Sequence, residues 1–299
     1  IIVIQTNNEH FNMILLDLNQ VMISNMMKQL GISGQAFDES LVRHMILNSI
    51  RAYKSKFTSE YGELIICCDD RNYWRKEIFP YYKGHRKQDR EKSAIDWSEV
   101  FTSLNRIRDE LKDHFPYKVI QVAHAEADDV IGVLTNRFGA YLNNATTERI
   151  LVLSGDKDFG QLQKFSNVDQ YSPVLKKFIR IPDARRFLRE HIMRGDRGDG
   201  IPNFLSADSC IMTGERQKAL ATKKVDVWVD KEPEDFCTGD MLRNYRRNEV
   251  LVDLDMVPSE IVTKINSEYD NYEPAKKRGL LNYFIKFKLK NLVEHIGDF

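Results

Sequence analysis

Residues 150–158 read Ile150-Leu-Val-Leu-Ser-Gly-Asp156-Lys-Asp158, an apolar run that passes through glycine into two carboxylates. The apolar residues predict a short buried strand, and ligands of α/β proteins bind beyond the carboxyl ends of such strands. Two acids in this position are equally typical of an Asp/Gly-rich turn between a strand and a helix. The stretch therefore predicts a strand and leaves its chemistry open.

The same pattern of an apolar run followed by an acid recurs earlier in the chain. The runs are Met13–Leu18 with Asp17, Leu64–Cys68 followed by Asp69, and Lys118–Val122 before Glu126. Apolar residues at helical spacing predict helices at 40–57, 97–115 and 128–138, and residues 168–171 and 178–181 fit an edge hairpin. Strands that alternate with helices predict an α/β fold with a central, mostly parallel sheet and helices on both faces.

Short acidic motifs concentrate carboxylates at the expected edge of this sheet. The nine are Asp17, Asp69, Glu126, Asp128, Asp129, Asp156, Asp158, Asp196 and Asp199. Two carboxylates about 6 Å apart repel by roughly 3 kcal/mol at an effective dielectric near 20, so a fold that gathers them needs cations. We therefore expect a two-metal phosphodiesterase site with hard divalent ions among oxygen ligands. For residues 126–129 an alternative stays open, because acids in the first turn of a helix also complement its dipole.

Composition narrows the class of protein. The 299 residues are 42% hydrophobic and 10% aromatic, which fits a globular chain and argues against disorder. No apolar run approaches the roughly 20 residues that a membrane helix needs, and the first ten residues do not resemble a signal peptide. The four cysteines show no zinc-site or disulfide spacing, so we expect a reduced, cytoplasmic protein without membrane association.

Positive charge is clustered although the formal net charge is zero. Residues 71–92 and 176–197 each hold eight Lys or Arg against three acids, which favours a phosphate-backbone substrate over a small sugar or a peptide. In the first cluster, residues 81–87 place two tyrosines beside cations, an arrangement that can stack on unpaired bases. Two solvated charged faces would produce the same counts.

Residues 195–203 form the most specific string, Gly-Asp-Arg-Gly-Asp-Gly-Ile-Pro-Asn. Glycine-rich turns between helices present backbone N–H groups to phosphate. The alternative is a helix C-cap followed by a turn, but two acids and three glycines in one turn are costly for packing alone. Because the chain looks mostly helical beyond Pro182, we predict an α/β nuclease domain at 1–182 with the metal site. A mostly helical DNA-binding domain at 183–299 would follow it.

Together these segments resemble the flap endonuclease, or 5′-3′ exonuclease, family of structure-specific 5′-nucleases, and most of all its bacteriophage branch. The resemblance is carried by residues 41–50, 73–86, 126–129, 154–159, 195–202 and 280–284. It implies a PIN-like 5′-nuclease core, a helical arch insertion at 71–92, and a C-terminal helical domain with a helix–three-turn–helix.

The resemblance also implies roles for individual residues. A first Mg²⁺ would be surrounded by Asp17, Asp69, Glu126, Asp128 and Asp156, and a second held by Asp158, Asp196 and Asp199, with Asp129 in or near the cluster. Asp69 is preferred to Asp70 because it directly follows the strand. The expected catalytic residues are Lys83 and Arg86, at the scissile phosphate. The expected DNA contacts are Arg75, Tyr82 (stacked on a terminal base), Lys87, Arg197, Gly198 and Gly200. Mn²⁺ is expected to substitute for Mg²⁺, and K⁺ to bind the turn at 195–203.

The implied activity is Mg²⁺-dependent removal of RNA primers and 5′ flaps, at flaps or nicks in duplex DNA and RNA–DNA hybrids, during replication in a phage-infected bacterium. A single-strand-binding protein and a sliding clamp are the expected partners. Residues 277–284 are similar to a clamp-binding peptide, but their apolar spacing favours a packed terminal helix. Two other functions remain open: a PIN-type ribonuclease and a non-catalytic binder of branched DNA.

Overall fold

A six-stranded sheet forms the centre of the computed structural model, which describes residues 12–33, 37–141 and 148–299. The strands are β1 Met13–Asp17, β2 Glu63–Cys68, β3 Lys118–Gln121, β4 Ile150–Leu153, β5 Val168–Ser172 and β6 Lys177–Ile179. They lie in the order β3-β2-β1-β4-β5-β6; the first five in the chain are parallel, and β6 pairs antiparallel with β5. The predicted, mostly parallel sheet is confirmed, including its edge hairpin.

Helices make up much of the rest of the described chain. They are α1 Leu18–Ser33, α2 Glu39–Tyr61, α3 Trp74–Ile78, α4 His85–Glu91, α5 Trp97–His114, α6 Ala127–Phe138, α7 Ala184–Arg194, α8 Cys210–Thr213, α9 Thr222–Trp228, α10 Pro233–Phe236, α11 Asp240–Val252, α12 Ser259–Asn271, α13 Leu280–Lys286 and α14 Lys290–Val293. Short 3₁₀ helices occupy Lys157–Lys164, Leu254–Met256, Lys277–Gly279 and Ile296–Asp298. Helix α1 was not predicted, because its polar and apolar residues are mixed and give no clear stripe. No helix of these described ranges is long and apolar enough to cross a membrane.

Side chains alternate along the strands between two apolar cores. In β1, Ile14 and Leu16 pack with α1, α2, α5 and α13, whereas Met13 and Leu15 pack with α6 and α12 on the other face. Because both faces of the sheet are covered, the strands are continuous apolar runs rather than alternating ones.

The order of the strands creates a crevice at one edge of the sheet. Strands β2 and β3 lie on one side of β1, and β4 and β5 lie on its other side. The order in which the chain adds strands therefore reverses between β1 and β4. Asp17 ends β1 and pairs in register with Cys67 of β2, while Leu16 pairs with Leu153 of β4. Asp69 and Asp156 therefore both lie two residues beyond the level of Asp17.

The basic segment at 71–92 folds as α3 and α4 joined by a turn. Its Phe79 and Tyr82 are buried in a third apolar core, together with Ile192 of α7 and with Ile201 and Phe204, which follow α7. The segment is therefore anchored against the C-terminal half of the chain.

The chain beyond residue 183 is mostly helical, as predicted. Helix α7 ends at Gly195, which has a φ of 66°, and turns continue as far as Ser209, before the single-turn helix α8. Leu280, Tyr283 and Phe284 of α13 are buried in the core formed by α1, α2 and α5. The apolar residues of segment 277–284 are thus packed, which agrees with a terminal helix and not with a free clamp-binding peptide. The division at residue 182 stays a prediction.

Candidate metal centre and active site

A cleft of about 510 Å³ opens where the winding of the sheet reverses. Five of the nine predicted metal ligands line it: Asp17, Asp69, Asp128, Asp156 and Asp199. The two predicted catalytic cations, Lys83 and Arg86, line the same cleft. The fold thus brings together acids and bases from six separate segments of the sequence.

Hydrogen bonds orient the carboxylates of Asp17 and Asp69. Asp17 accepts from the backbone N–H of Gln20 and from Ser154 Oγ, both at 3.0 Å. Asp69 accepts from the N–H of Ala127 at 2.7 Å and from the amide of Asn19. No motif in the sequence pointed to Asn19 and Gln20, because they lie at the start of the unpredicted helix α1.

Asp70, the neighbour of Asp69, does not line the cleft. Its Oδ2 accepts from the N–H of His124 at 2.9 Å. Partial burial opposes ionisation of Asp70, but the backbone hydrogen bonds from His124, Arg71 and Asn72 outweigh it and lower the pKa of this carboxyl. Asp69 is therefore the acid that faces the candidate metal site.

Positively charged side chains do not fully neutralise four of the cleft carboxylates, those of Asp17, Asp69, Asp128 and Asp156. Burial raises the pKa of Asp17 to about 7, and the nearby charges of Asp69 and Asp156 add to this rise against hydrogen bonds from Gln20 and Ser154. Burial raises the pKa of Asp156 to about 6, with Asp158 contributing, and it also raises the pKa of Asp69 and Asp128. Within the described part of the chain, none of the four forms an ion pair. Buried, uncompensated carboxylate oxygens are a donor set that fits hard divalent cations.

Glu126 and Asp129 are compensated by cations of the chain itself. Glu126 is 1% exposed; it pairs with Arg75 Nη1 at 3.0 Å and with Lys83, and accepts from the Tyr82 hydroxyl at 2.9 Å. Asp129 is fully buried; it accepts from Trp74 Nε1 and from the N–H of Glu126, and pairs with Arg75 at 2.7 Å. Asp129 thus completes a capping box at the start of α6. The expectation that it belongs to the metal cluster does not fit this position.

The glycine-rich turn at 195–203 contacts the basic segment directly. The N–H of Lys83 donates to the carbonyl of Asp199 at 2.7 Å, and Arg86 pairs with the Asp199 carboxylate at 2.6 Å and donates to the carbonyl of Gly198 at 2.9 Å. Gly200 has a φ of 76°, and a Cβ at this position would lie 2.9 Å from the Tyr81 carbonyl oxygen. Only glycine therefore permits the observed approach of the two segments.

The predicted DNA contacts fall into two groups. Lys87, Arg197 and Gly198 are exposed, whereas Gly200 is buried against the basic segment. Arg75 and Tyr82 are each only 2% exposed.

Direct DNA contacts by Arg75 and Tyr82 do not fit this structure, because both side chains are used to neutralise or hydrogen-bond the buried Glu126. The rings that do line the cleft include Phe101, which is 38% exposed, and Trp97 beside it, with centroids 5.6 Å apart. In the sequence Phe101 looked like part of the apolar stripe of α5.

Asp158 and Asp196 lie in a second acidic cluster that contains an unexpected histidine. Nε2 of His191 is 3.1 Å from Asp158 Oδ1 and 3.6 Å from Asp196 Oδ2, and the three atoms lie within 4.8 Å of one another. Lys157 Nζ is 2.9 Å from Asp196 Oδ2. No histidine motif pointed to His191, because its proximity to Asp158 depends on the packing of α7 against the 3₁₀ helix at 157–164.

Two family models match the chain. The 5′-3′ exonuclease, N-terminal resolvase-like domain matches residues 20–190, and the T4 RNase H, C-terminal domain matches residues 187–299. The chain is 32% identical over 295 residues to Ribonuclease H of Enterobacteria phage T4, covering 95% of each protein. It is 33% identical over 157 residues to a 5′-3′ exonuclease of Streptomyces coelicolor, which is 46% of this chain and 50% of that protein.

Two solved structures of a bacteriophage T5 protein share the fold. One was crystallised with metal ions and matches with a TM-score of 0.59 over 87% of this chain and 98% of that chain. The other, a flap endonuclease complex with DNA and metal ions, matches with a TM-score of 0.57 over the same shares of the two chains. Sequence identity is 14% in both cases, so these matches bear on the fold alone.

Proposed function

Because this chain belongs to the 5′-3′ exonuclease family of nucleases, we propose that it is a Mg²⁺-dependent, structure-specific 5′-nuclease that removes RNA primers and 5′ flaps. The observation that carries the proposal is the cleft in which four uncompensated carboxylates lie beside Lys83 and Arg86. Acids that concentrate divalent cations, next to bases that attract phosphate, are what phosphodiester hydrolysis requires.

The donor set fits two Mg²⁺ ions. In the proposal, one ion is held by Asp17, Asp69, Asp128 and Asp156 with Glu126 adjacent, and the other by Asp158, Asp196 and Asp199. Two such ions, when bound, activate the attacking water and neutralise the leaving oxygen. Mn²⁺ in place of Mg²⁺, and K⁺ at the turn of residues 195–203, are parts of the same proposal.

Lys83 and Arg86 supply positive charge to the phosphate that is cleaved. The side chains of Lys83 and Arg86 are 12% and 44% exposed, and they form ion pairs with Glu126 and Asp199. A substrate phosphate offers the same kind of anionic oxygen, so each cation can exchange a carboxylate for the scissile phosphate. Positive charge held close to the phosphate, where negative charge builds up in the transition state, lowers the activation barrier for cleavage.

We further propose that the substrate is DNA or an RNA–DNA hybrid with a 5′ flap or a nick. Lys87, Arg197 and the backbone of Gly198 are exposed and suited to phosphate contacts. Phe101 takes the base-stacking role that was expected of Tyr82, since its ring is exposed at the cleft. A replication role in the cytoplasm of a phage-infected bacterium, with a single-strand-binding protein and a sliding clamp as partners, completes the proposal.

The first test uses a 5′-labelled flap and a nicked RNA–DNA hybrid, each with Mg²⁺ and with EDTA. Release of short 5′ products with Mg²⁺ alone is the expected result. Cleavage confined to single-stranded RNA would favour a PIN-type ribonuclease, and salt-sensitive binding without cleavage would favour a DNA-binding protein. Either result would refute the proposed activity.

Adjacent acids provide a matched pair of variants for this assay. Asp69→Asn should abolish cleavage while flap binding is retained, because Asp69 faces the cleft. Asp70→Asn should cleave at the wild-type rate, because its carboxylate binds the backbone of His124 instead. Equal rates for the two variants would remove Asp69 from the metal site.

Lys83→Ala should slow single-turnover cleavage while Mg²⁺ affinity, measured by calorimetry without substrate, is retained. Lys264→Ala is the control, because Lys264 forms an exposed ion pair with Glu260 on α12, outside the cleft. An unchanged single-turnover rate in Lys83→Ala would exclude Lys83 from the chemical step.

A further inference from the structure

His191 is a buried base without a hydrogen-bonding partner for one of its ring nitrogens. It lies in the last turn of α7 and its side chain is 7% exposed. Nε2 is shielded from solvent and makes no hydrogen bond of acceptable geometry, although Asp158 Oδ1 is 3.1 Å away. Asp158 Oδ1 is likewise buried without a hydrogen bond. Burying such polar atoms unpaired is costly, and a metal ion that bonds to both atoms would satisfy them.

The distances from His191 to the two carboxylates fit a metal ion. In a tetrahedral site with bonds of about 2.0–2.1 Å, the ligand atoms are about 3.3 Å apart. Nε2 of His191 lies 3.1 Å from Asp158 Oδ1 and 3.6 Å from Asp196 Oδ2, on either side of that value. One imidazole and two carboxylates also supply three protein ligands, the number that leaves the fourth tetrahedral position open.

We propose that His191 Nε2, together with Asp158 and Asp196, forms a mixed nitrogen–oxygen site that binds a divalent transition-metal ion of the Zn²⁺ or Co²⁺ type. The site coincides with the second-metal position of the proposed nuclease, and the inference rests on that proposed function. Imidazole raises affinity for Co²⁺ and Zn²⁺, whereas carboxylates alone suit Mg²⁺ and Mn²⁺. The two metal positions would therefore differ in selectivity.

The surrounding chain positions two of the three donors, His191 and Asp196. The ring of Phe187 lies parallel to the imidazole, at an interplanar angle of 3° and a centroid distance of 6.0 Å. Asp196 Oδ1 accepts from the N–H groups of Gly198 and Asp199, which leaves Oδ2 directed at His191. The donors are thus fixed by contacts that a bound ion would not need to disturb.

Lys157 forms an ion pair with Asp196 at this site. Its ammonium lies 2.9 Å from Asp196 Oδ2, and its side chain is 56% exposed. A long, exposed side chain can move into solvent at little cost. A bound dication would take over the role of this ammonium group in neutralising Asp196.

The test is an NMR titration of the full-length, metal-free wild-type chain labelled with ¹⁵N at histidine. Adding Zn²⁺ should shift the imidazole nitrogen signals of one histidine, assigned by their absence in His191→Gln and in His191→Asn. Calorimetry should show Zn²⁺ affinity weakened by at least about tenfold in both variants, with Mg²⁺ affinity changed much less. His295→Gln is the control, because His295 also lies near a carboxylate, Asp298 at 3.6 Å, but is exposed; it should bind Zn²⁺ as the wild type does.

Two outcomes would overturn the inference: no shift of any histidine imidazole nitrogen signal in the folded wild type at saturating Zn²⁺, or unchanged Zn²⁺ affinity in both variants. The first depends on no substitution, so a variant that fails to fold does not weaken the test. Cleavage by the wild type with Mg²⁺ is measured in parallel. If cleavage occurs without a His191 shift, only the inference fails; if cleavage is absent, the proposed function fails regardless of Zn²⁺ binding.

Discussion

Replacing Asp17 by Asn should stabilise the metal-free protein while weakening its response to Mg²⁺. Asp17 is buried at the end of β1, near the charges of Asp69 and Asp156, and has no ion-pair partner among the described residues. Asn has nearly the same shape and can still accept from the N–H of Gln20 and hydrogen-bond Ser154. The substitution therefore removes a buried charge without removing the packing.

The size of the effect follows from the pKa of Asp17, which rises from 3.8 to about 7. At about 1.4 kcal/mol per pKa unit, three units correspond to about 4 kcal/mol. A raised carboxyl pKa means that the folded state keeps its proton up to about pH 7, whereas the unfolded chain releases it near pH 4. The contribution of Asp17 to metal-free stability is therefore most favourable below about pH 4 and becomes less favourable as the pH rises to 7.

At pH 8 we expect Asp17→Asn to gain about 2 to 4 kcal/mol over the wild type, because burying the Asn amide offsets part of the benefit. For a chain of 299 residues this corresponds to about 3 to 6 °C in the melting temperature. Thermal unfolding in EDTA at pH 5 and pH 8 measures it, and the gain should be smaller at pH 5. Added Mg²⁺ should then raise the melting temperature of the wild type more than that of the variant.

Asp70→Asn is the control, for which we expect the opposite change in stability. Hydrogen bonds to the backbone lower the pKa of Asp70 despite its partial burial, so removing its charge should destabilise the protein at pH 8. The reasoning is refuted if Asp17→Asn is less stable than the wild type in EDTA at pH 8, or if Mg²⁺ stabilises both equally.

Two further predictions concern stability, and one concerns salt. Arg75→Met should cost about 3 to 5 kcal/mol of unfolding free energy, because it leaves the buried Asp129 without its cation and Glu126 with Lys83 alone. Arg106→Met, which breaks an exposed pair, should cost less than about 1 kcal/mol, and similar losses in urea unfolding would contradict this. Gly200→Ala should destabilise more than Gly214→Ala, because both have a φ of 76° but only Gly200 is pressed against the Tyr81 carbonyl; equal melting temperatures would show that this contact is unimportant. Flap binding in EDTA should weaken steeply between about 50 and 200 mM salt if several phosphates are contacted, and a flat fluorescence-anisotropy titration would argue against the proposed interface.

The sequence by itself determined the sheet and most of its acidic edge. Runs such as Ile150–Leu153 are short, apolar and followed at once by polar residues, so both the strand and its end can be predicted from local pattern. An acid directly after a parallel strand must lie at the carboxyl edge, which is why Asp17, Asp69 and Asp156 were correctly expected near one another.

Only the tertiary structure decided which of the acids face the cleft. Asp128 and Asp129 are neighbours on α6, yet successive helical residues point about 100° apart, so one lines the cleft and the other is buried beside Arg75. Arg75 is itself held by the carbonyl of Leu251, and His191 reaches Asp158 only because α7 packs on the 3₁₀ helix. Burial and pairing depend on contacts between residues far apart in the chain, and no local pattern of sequence encodes those contacts.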